Sequence, residues 1–471
     1  MAEPEKHECP NCERLSRRLA ELEARLSQLE GELAKAQKNS ATSSKPPSSD
    51  IVKPPARRGA KGKNGKRKRG GQPGHPRHER PAFSEDQLDN AWEYRLDECP
   101  CCHGGLSDLD KPPKRLQQVE LRAVPVIIEE HRGIAQWCET CQRVHYGAVP
   151  EELVRAGLIG PRLTAFVGFL KGACHMSFSS IRKLFRDVLT VRVSRGLLAK
   201  VIRKVSTSLQ DPYEELLRLL PEQDLLNVDE TGHKDQGKRL WTWCFRASLF
   251  TLFKISPSRG SDVLLEVLGG EFDGVLGCDY FSAYRKYMRL NENVTLQFCL
   301  AHFIRDVKFL TKHPNPKNRQ YGERLLEDLR KLFRTIHRRE EFASETTFRA
   351  SLERIAASIC YDAFMESPGT REAENIAERF RLNTEGFFRF ITTPGIEPTN
   401  NLAEQAIRFV AIHRRMTQGT CGETGQTWCE RIWTAVGTCA QQGRSVFLFL
   451  HDAVEAFFAG DHAPSLVFDS T

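Results

Sequence analysis

Leucines at 15, 19, 22, 26, 29 and 33 fall at alternating steps of four and three, with Glu, Arg, Ser, Gln and Lys between them. A seven-residue repeat of this kind lays one apolar seam along a helix, and it predicts a coiled coil over 12–38 whose seam is buried against a second helix. The period then stops. Residues 39–50 (NSATSSKPPSSD) are rich in Ser, Thr and Pro, and the bases that follow alternate with Gly and Pro, so 39–82 reads as a disordered linker. Residues 116–130 (LQQVELRAVPVIIEE) are rich in β-branched side chains and read as a strand. Ile181, Leu184, Phe185, Val188 and Leu189 recur at helical steps, which predicts a helical domain over 151–220. Residues 225–231 (LLNVDET) are a short apolar strand ending in acids. Residues 240–250 put Trp241, Trp243 and Phe245 on one strand face, and 252–255 extend that hairpin. A helix over 262–268, a second apolar approach to an acid at 274–279 (GVLGCD), a helix from Ser282, a strand over 295–300 and a helix from Ala301 complete an α/β pattern. The stripe Tyr321, Leu325, Leu326, Leu329, Leu332, Phe333, Ile336 and a second one at Leu352, Ile355 and Ile359 predict an all-α insertion over 311–390. The α/β core thus falls in two parts, 221–310 and 391–471, the latter with a C-terminal helical region. Thr399 or Asn400 caps a helix in NNLAEQAIR, on which Glu404 and Arg408 share a face.

Composition adds little: 471 residues, 40% hydrophobic and 28% charged, are the figures of a globular chain and exclude collagen-like or wholly disordered readings. Charge adds more. The formal net charge is +8, yet residues 51–80 hold eleven Lys or Arg against Glu79, so this segment carries +10 and the rest of the chain −2. So dense a cation array predicts a polyanionic partner, and nucleic acid suits it better than a membrane, because only Ile51, Val52 and a few Ala are there to enter lipid. Lys61, Lys63, Lys66, Arg67, Lys68 and Arg69 are its candidate phosphate contacts. Arg408, His413, Arg414 and Arg415 behind Glu404 form a second set, and Arg182, Lys183 and Arg186 in the helical domain a third. An apolar signal stretch is missing and we count no run of about 18 apolar residues, so neither secretion nor membrane spanning is expected.

Fifteen cysteines, four of them in two short-spaced pairs, predict a reducing, cytoplasmic setting with bound zinc rather than a disulfide net. Cys99 and Cys102 make one C-x-x-C step, Cys138 and Cys141 another, and four thiolates can surround one Zn²⁺ tetrahedrally; this predicts a zinc ribbon over 83–150, with Cys101, His103 and His145 as substitute ligands. Cys9 and Cys12 supply half a site, which a dimer would complete. Cys299 and His302 have C-x-x-H spacing at a strand-to-helix junction; with no second pair, packing is the better reading than metal binding. Acids at strand ends, Asp229 and Asp279, lie where α/β sheets usually place active sites. Glu230, one residue on, points off the opposite face and reads as structural.

The zipper, NSATSSKPPSSD, GKRKRGGQPGH, the CPCCHGG and CETC pairs, VDET, GCDYFSAY, the CLAH helix start and NNLAEQAIR occur here in one order. In this the chain resembles the large transposase of the IS66 family of bacterial insertion sequences over nearly its whole length. The resemblance implies an RNase H-like core whose DDE triad cuts and joins DNA with divalent metal: Asp229, Asp279 and Glu404 as catalytic residues and ligands of Mg²⁺ (or Mn²⁺), with the helical insertion between the second and third. Three carboxylates suit two-metal chemistry, one ion readying water or a 3′-hydroxyl and the other stabilising the departing oxygen. The implied partners are double-stranded DNA, namely terminal repeats and target, a second copy or more of the chain, and small accessory proteins; the implied setting is the cytoplasm, on the nucleoid when DNA is bound. The chain departs from the family pattern in the short stretch from Asp229 to Trp241, which contains His233, and in CLAHFIRD, which lacks paired arginines after its His. Two other readings compete: a non-catalytic zinc-ribbon DNA-binding regulator, and a nuclease on the same fold that cuts without joining.

Overall fold

A computed structural model describes residues 10–36, 82–104, 106–107, 115–122 and 125–467. The basic linker bases Lys61 to Arg69 and Cys9 lie outside the described residues, as does the side chain of Cys12. Contacts divide the chain into two units, one of Met1–Pro54, Glu130–Asp187 and Val191–Thr471, the other of Pro55–Glu129 with Val188–Thr190.

In the smaller unit, Phe83 exchanges two hydrogen bonds with the Gln117 side chain, at 2.7 and 2.9 Å. The strand expected over 116–130 is not formed among its described residues. Leu116, Val119, Leu121, Ile127 and Ile128 are all exposed. β-Propensity acts through packing on neighbouring strands, and here no strand pairs with them.

In the larger unit, the heptad leucines lie on α1 (Pro10–Ala36), close to the expected 12–38. All six are exposed, at 56–66%. The last turn of α1 is tied down by Lys35, 2.8 Å from Glu372. A hairpin of β1 (Ala135–Cys138) and β2 (Arg143–Tyr146) follows. Next come α2 (Glu151–Ala156), α3 (Pro161–Gly172), α4 (Phe178–Asp187), α5 (Arg195–Ser208) and α6 (Gln210–Leu219), the expected helical region. By length and composition the stretch Glu151–Gly172 would pass for a membrane span, although Arg155 and Arg162 interrupt its apolar residues. It is broken into α2 and α3 between Gly157 and Gly160, and Ala165, Val167 and Leu170 of α3 are buried on α5 and α15 (Val446–Ala459).

The core is one mixed sheet of β3 (Leu225–Asp235), β4 (Lys238–Arg246), β5 (Thr251–Ser256), β6 (Gly274–Cys278) and β7 (Val294–Phe298), in the order β5-β4-β3-β6-β7. β3, β4 and β5 are antiparallel neighbours, whereas β3, β6 and β7 run parallel, linked through α7 (Ser261–Leu268) and α8 (Ser282–Leu290). β3 outruns the 225–231 expected of it, because β4 pairs with it from Asn227 to Asp235. The turn between them, Gln236 and Gly237, takes φ of 48° and 82°, the two-residue turn that suits a twisted hairpin. Leu226, Val228, Trp243, Phe245 and Leu276 bury the sheet's interior.

α9 (Leu300–Leu310) leaves β7 where a helix was expected. α10 (Pro316–His337), α11 (Glu345–Phe364) and α12 (Arg371–Thr392) then form the helical insertion around Tyr321, Leu325, Leu329, Leu352, Ile355 and Ile359. α12 leans on β7 and brings the chain back to α13 (Asn401–Thr417), which lies on β3 and β4. α14 (Glu423–Gln442) covers the edge strand β5: the side chains of Thr438, Thr434 and Glu430, one helical turn apart, accept from the amides of Thr251, Phe253 and Ile255. An exposed edge is thereby closed to foreign strands. α15 ends the chain against α2, α3 and α5, so the last segment belongs to the helical region as much as to the sheet.

Candidate active site

Residues of β3 alternate between two faces. Glu230 points to one of them and is buried, its carboxylate 2.6 Å from the Arg259 guanidinium and accepting the Tyr284 hydroxyl proton. Arg259 is in turn held over the rings of Trp241 and Phe281, at 4.7 and 4.0 Å. The structural reading of Glu230 is the one its surroundings support.

Asp229, Thr231, His233 and Asp235 share the other face, beneath α13. Thr231 accepts from Arg414 at 3.3 Å. Asp235 accepts from the Thr420 hydroxyl and the Gly422 amide, each at 2.7 Å, and these bonds hold its carboxyl below the usual range. Thr420, committed to Asp235, accepts from His233 Nε2 at 3.0 Å, which makes Nε2 the protonated nitrogen of the neutral ring, and Nδ1 lies 3.2 Å from the Thr242 hydroxyl. Burial, then Arg414, lowers the His233 pKa to about 4. The segment that delivers Thr420 passes so close to β3 that a Cβ at Gly419 would sit on the Lys234 carbonyl, and its φ of 110° also demands glycine.

Asp229 is the exception on this face. Its one hydrogen bond is from the Glu230 amide at 2.9 Å, and among the described residues it has no cationic partner. Burial, followed by the charges of Glu230, Asp279 and Glu404, raises its pKa well above the ordinary carboxylate range. Asp279 stands in the next strand's line: Asn227 pairs with Gly277, and each acid lies two residues beyond that pair, where β6 has ended but β3 continues. Asp279 accepts from the Phe281 amide at 2.9 Å as the chain turns into α8. Burial and then Glu230 raise its pKa to about 7, against the opposing pull of that amide and of Arg259.

Glu404 arrives in the first turn of α13. Asn400, at the N-cap position, makes no cap; its side chain instead donates to the Val228 carbonyl at 2.7 Å, bolting the start of α13 to β3 beside Asp229. Its amide donates to Cys299 Sγ at 3.1 Å, so Cys299 fastens the core, as expected of packing. His302 Nδ1 lies 3.4 Å from Glu404, and Arg305 donates to both Glu404 oxygens at 3.0 and 3.2 Å. Ligand atoms of Cys299, His302 and Glu404 lie within 4.8 Å of one another, so this corner also has a donor set for a metal ion, as have His451, Asp452 and Glu455 at the surface. Burial raises the Cys299 thiol to about 11, however, so this sulfur is held as a thiol rather than as the thiolate that binds metal.

Arg305 is the residue that sequence reasoning missed. Its signal was there, since it stands one helical turn after His302 in CLAHFIRD. Of the bases expected to meet phosphate, Arg408 and Arg415 are exposed and Arg414 half-buried. His413 is buried, 3.1 Å from His175, and is not available.

The cysteine pairs fall in different units. In the smaller one, residues 99–104 close a tight turn, with the Cys99 amide donating to Gly104 and the His103 amide to Cys99. The Cys101 and Cys102 amides hold the Cys99 thiol below its usual pKa. On the β1–β2 hairpin, the Cys141 amide and thiol and the Thr140 amide do the same for Cys138.

The charges of Glu230, Asp279 and Glu404 thus all bear on the buried Asp229, while Arg259 acts on Asp279 and Arg305 on Glu404. Residues 2–81 match a family of unknown function (DUF6444). An uncharacterized protein, y4qI, of Sinorhizobium fredii (strain NBRC 101917 / NGR234) is 24% identical over 366 residues. That match covers 71% of this chain and 64% of the relative, so the chain spans somewhat less than two thirds of the relative's length. Residues 156–427, more than half of the chain and including all three acids, match the model of the transposase IS66 family, and the chain belongs to that family.

Proposed function

We propose that the chain is a DDE transposase that binds the ends of an insertion sequence and catalyses metal-dependent cleavage and transfer of DNA strands. The observation that carries this is that the charges of Asp279, at the end of β6, and of Glu404, on α13, both bear on the buried Asp229 of β3, which has no cationic partner among the described residues. Sheet order β5-β4-β3-β6-β7, with its antiparallel hairpin and parallel remainder, supports the RNase H-like reading of the core. Magnesium or manganese bound by the three acids would offset phosphate charge and ready water or a 3′-hydroxyl for attack. Asp229 and Asp279 provide the negative oxygens. Asn400 and Cys299 fix the helix that presents Glu404. Arg305 brings positive charge to Glu404, where phosphate oxygens would lie, and Arg408, Arg414 and Arg415 extend it along α13. A non-catalytic regulator would leave the unpaired Asp229 without a use.

In this reading Lys61, Lys63, Lys66, Arg67, Lys68 and Arg69 add sequence-blind phosphate attraction. A second copy of the chain covers the open leucine seam of α1. Changing Leu22 and Leu26 to Glu should then shift the mass measured by light scattering towards the monomer, and an unchanged mass would remove the zipper.

The test of the enzyme is cleavage and strand transfer on a labelled terminal-repeat duplex by Asp229→Asn, Asp279→Asn and Glu404→Gln. Each should lose cleavage by on the order of 10⁴-fold while still binding the duplex in chelator. Parent-like cleavage by any one variant takes that residue out of the triad; cleavage without transfer by the parent leaves a nuclease.

A further inference from the structure

Away from the acids, a cavity of about 610 Å³ opens between α4 and the start of α5. Arg182, Lys183, Arg186, Arg192 and Arg195 line it. Among the described residues, only Arg186 of the five has a carboxylate partner, Asp187 at 2.5 Å. Two guanidiniums are fixed as walls: Arg195 donates to Ser179 Oγ at 2.8 Å, and Arg182 donates through Nε to the Val193 carbonyl at 3.1 Å, leaving their other N–H groups unused. Lys183 and Arg192 are exposed and make no hydrogen bond or ion pair among the described residues. Five bases held together against the one carboxylate of Asp187 repel one another unless a polyanion shares their charge.

α5 adds a second feature. Ser194 Oγ caps the Leu197 amide at 3.0 Å, while the amides of Arg195 and Gly196 in the first turn have no helical acceptor. The helix's positive end therefore meets the cavity at Arg195. Beyond it Gly196, Lys200 and Arg203 recur at steps of four and three, all exposed, while Leu198, Val201, Ile202 and Val205 are buried on the other side. From Arg195 to Arg203 the basic face runs about 12 Å at 1.5 Å per residue, longer than one phosphate requires.

We propose that this surface seats the phosphate backbone of duplex DNA, with α4 lying across the backbone and the first turn of α5 facing the groove. The proposal rests on the DNA-transposase reading above and adds a binding surface to it. Duplex fits better than single strands, which call for aromatic rings to stack on, and no aromatic side chain lines the cavity. The seat is also joined to the acids. His175, just before α4, lies with its ring 4.6 Å from that of Phe409 and is hydrogen-bonded to His413, both on the helix that carries Glu404. DNA held at α4 and α5 is thus held on the same packed body as the third carboxylate.

The experiment uses the full chain and Lys183→Gln with Arg192→Gln, two exposed side chains with no hydrogen bond or ion pair among the described residues. Anisotropy of a labelled duplex is followed across a salt series in chelator. The double variant should melt as the parent does, bind about tenfold more weakly at low salt and lose about 1 to 2 units from the slope of log K against log salt. Reversal to Glu at the same positions should deepen both effects. A double variant with the parent's slope and affinity overturns the seat. If the parent itself cleaves terminal repeats, that result leaves the enzyme reading intact; a parent that does not bind duplex overturns both.

Discussion

The two faces of β3 solve the same electrostatic problem in opposite ways. Asp229 and Glu230 are adjacent acids, both enclosed by the fold, yet Glu230 has Arg259 and Tyr284 while Asp229 has one backbone amide and three carboxylates nearby. On Asp229's own face the other polar groups are matched as carefully as Glu230 is, His233 and Asp235 by Thr420, Thr231 by Arg414. Asp229 is the acid on this face with no cation among the described residues, which is what the proposed role as a metal ligand would require of it. Adjacency in sequence therefore says little about role; the side of the strand decides it.

The contrast is broken most severely if the two acids respond alike to loss of charge. Asp229→Asn should abolish cleavage and leave stability unchanged or higher by about 1 kcal/mol, since it relieves repulsion. Glu230→Gln should do the reverse in stability: it strands Arg259, which is only partly in water, and should cost about 2 to 3 kcal/mol, read as a lower melting temperature. Parallel melting curves for the two amides would show that the faces do not differ as described.

How much of this was legible beforehand follows from range. The period of two in LLNVDET was enough to set Glu230 opposite Asp229, and apolar runs ending in acids located both strands of the site, because these are local patterns. The insertion was legible from the stripes at Tyr321 and Leu352. The length of β3 was not, since its last residues are held by pairing with β4 and by the Gly419–Gly422 segment nearly two hundred positions away. Arg259 was missed for the same reason, since its partner Glu230 is brought to it by the fold, whereas Arg305 could have been found from its place one turn after His302. The strand expected over 116–130 failed because propensity without a neighbouring strand has nothing to pack on.

A pH series sharpens the comparison on the α13 side. His233 and His413 are buried and neutral, with pKa values lowered to about 4 and about 3, in both cases chiefly by burial; Lys171 and His175 add to the effect at His413. In the unfolded chain each titrates near 6.5. Between those values the unfolded state binds more protons, so stability is fully present above about pH 6.5 and falls as the pH is lowered towards 4. Each imidazole should remove about 2 kcal/mol by pH 5. His413→Gln should flatten the fall relative to the parent. An equal slope in both would mean that the His413 ring takes up its proton inside the fold.

The smallest expected change in stability is at Asn400, where β3 meets the Glu404 helix. Its Nδ2 donates to the Val228 carbonyl, but its Oδ1 is buried without a partner. Asn400→Ala removes one favourable bond and one unsatisfied oxygen together. The loss from the first, about 1 kcal/mol, is partly offset by the second, so melting should hardly move. Cleavage should fall far more than stability does, because nothing else described at that point fixes the first turn of α13 to the strand of Asp229. Asn400→Asp keeps the shape but sets an acceptor against the Val228 carbonyl and adds a fourth negative charge near the acids, so it should be worse than alanine in both respects. If alanine instead lowered melting and cleavage in proportion, Asn400 would be an ordinary buried amide, and the placement of Glu404 would depend on Arg305 and His302 alone.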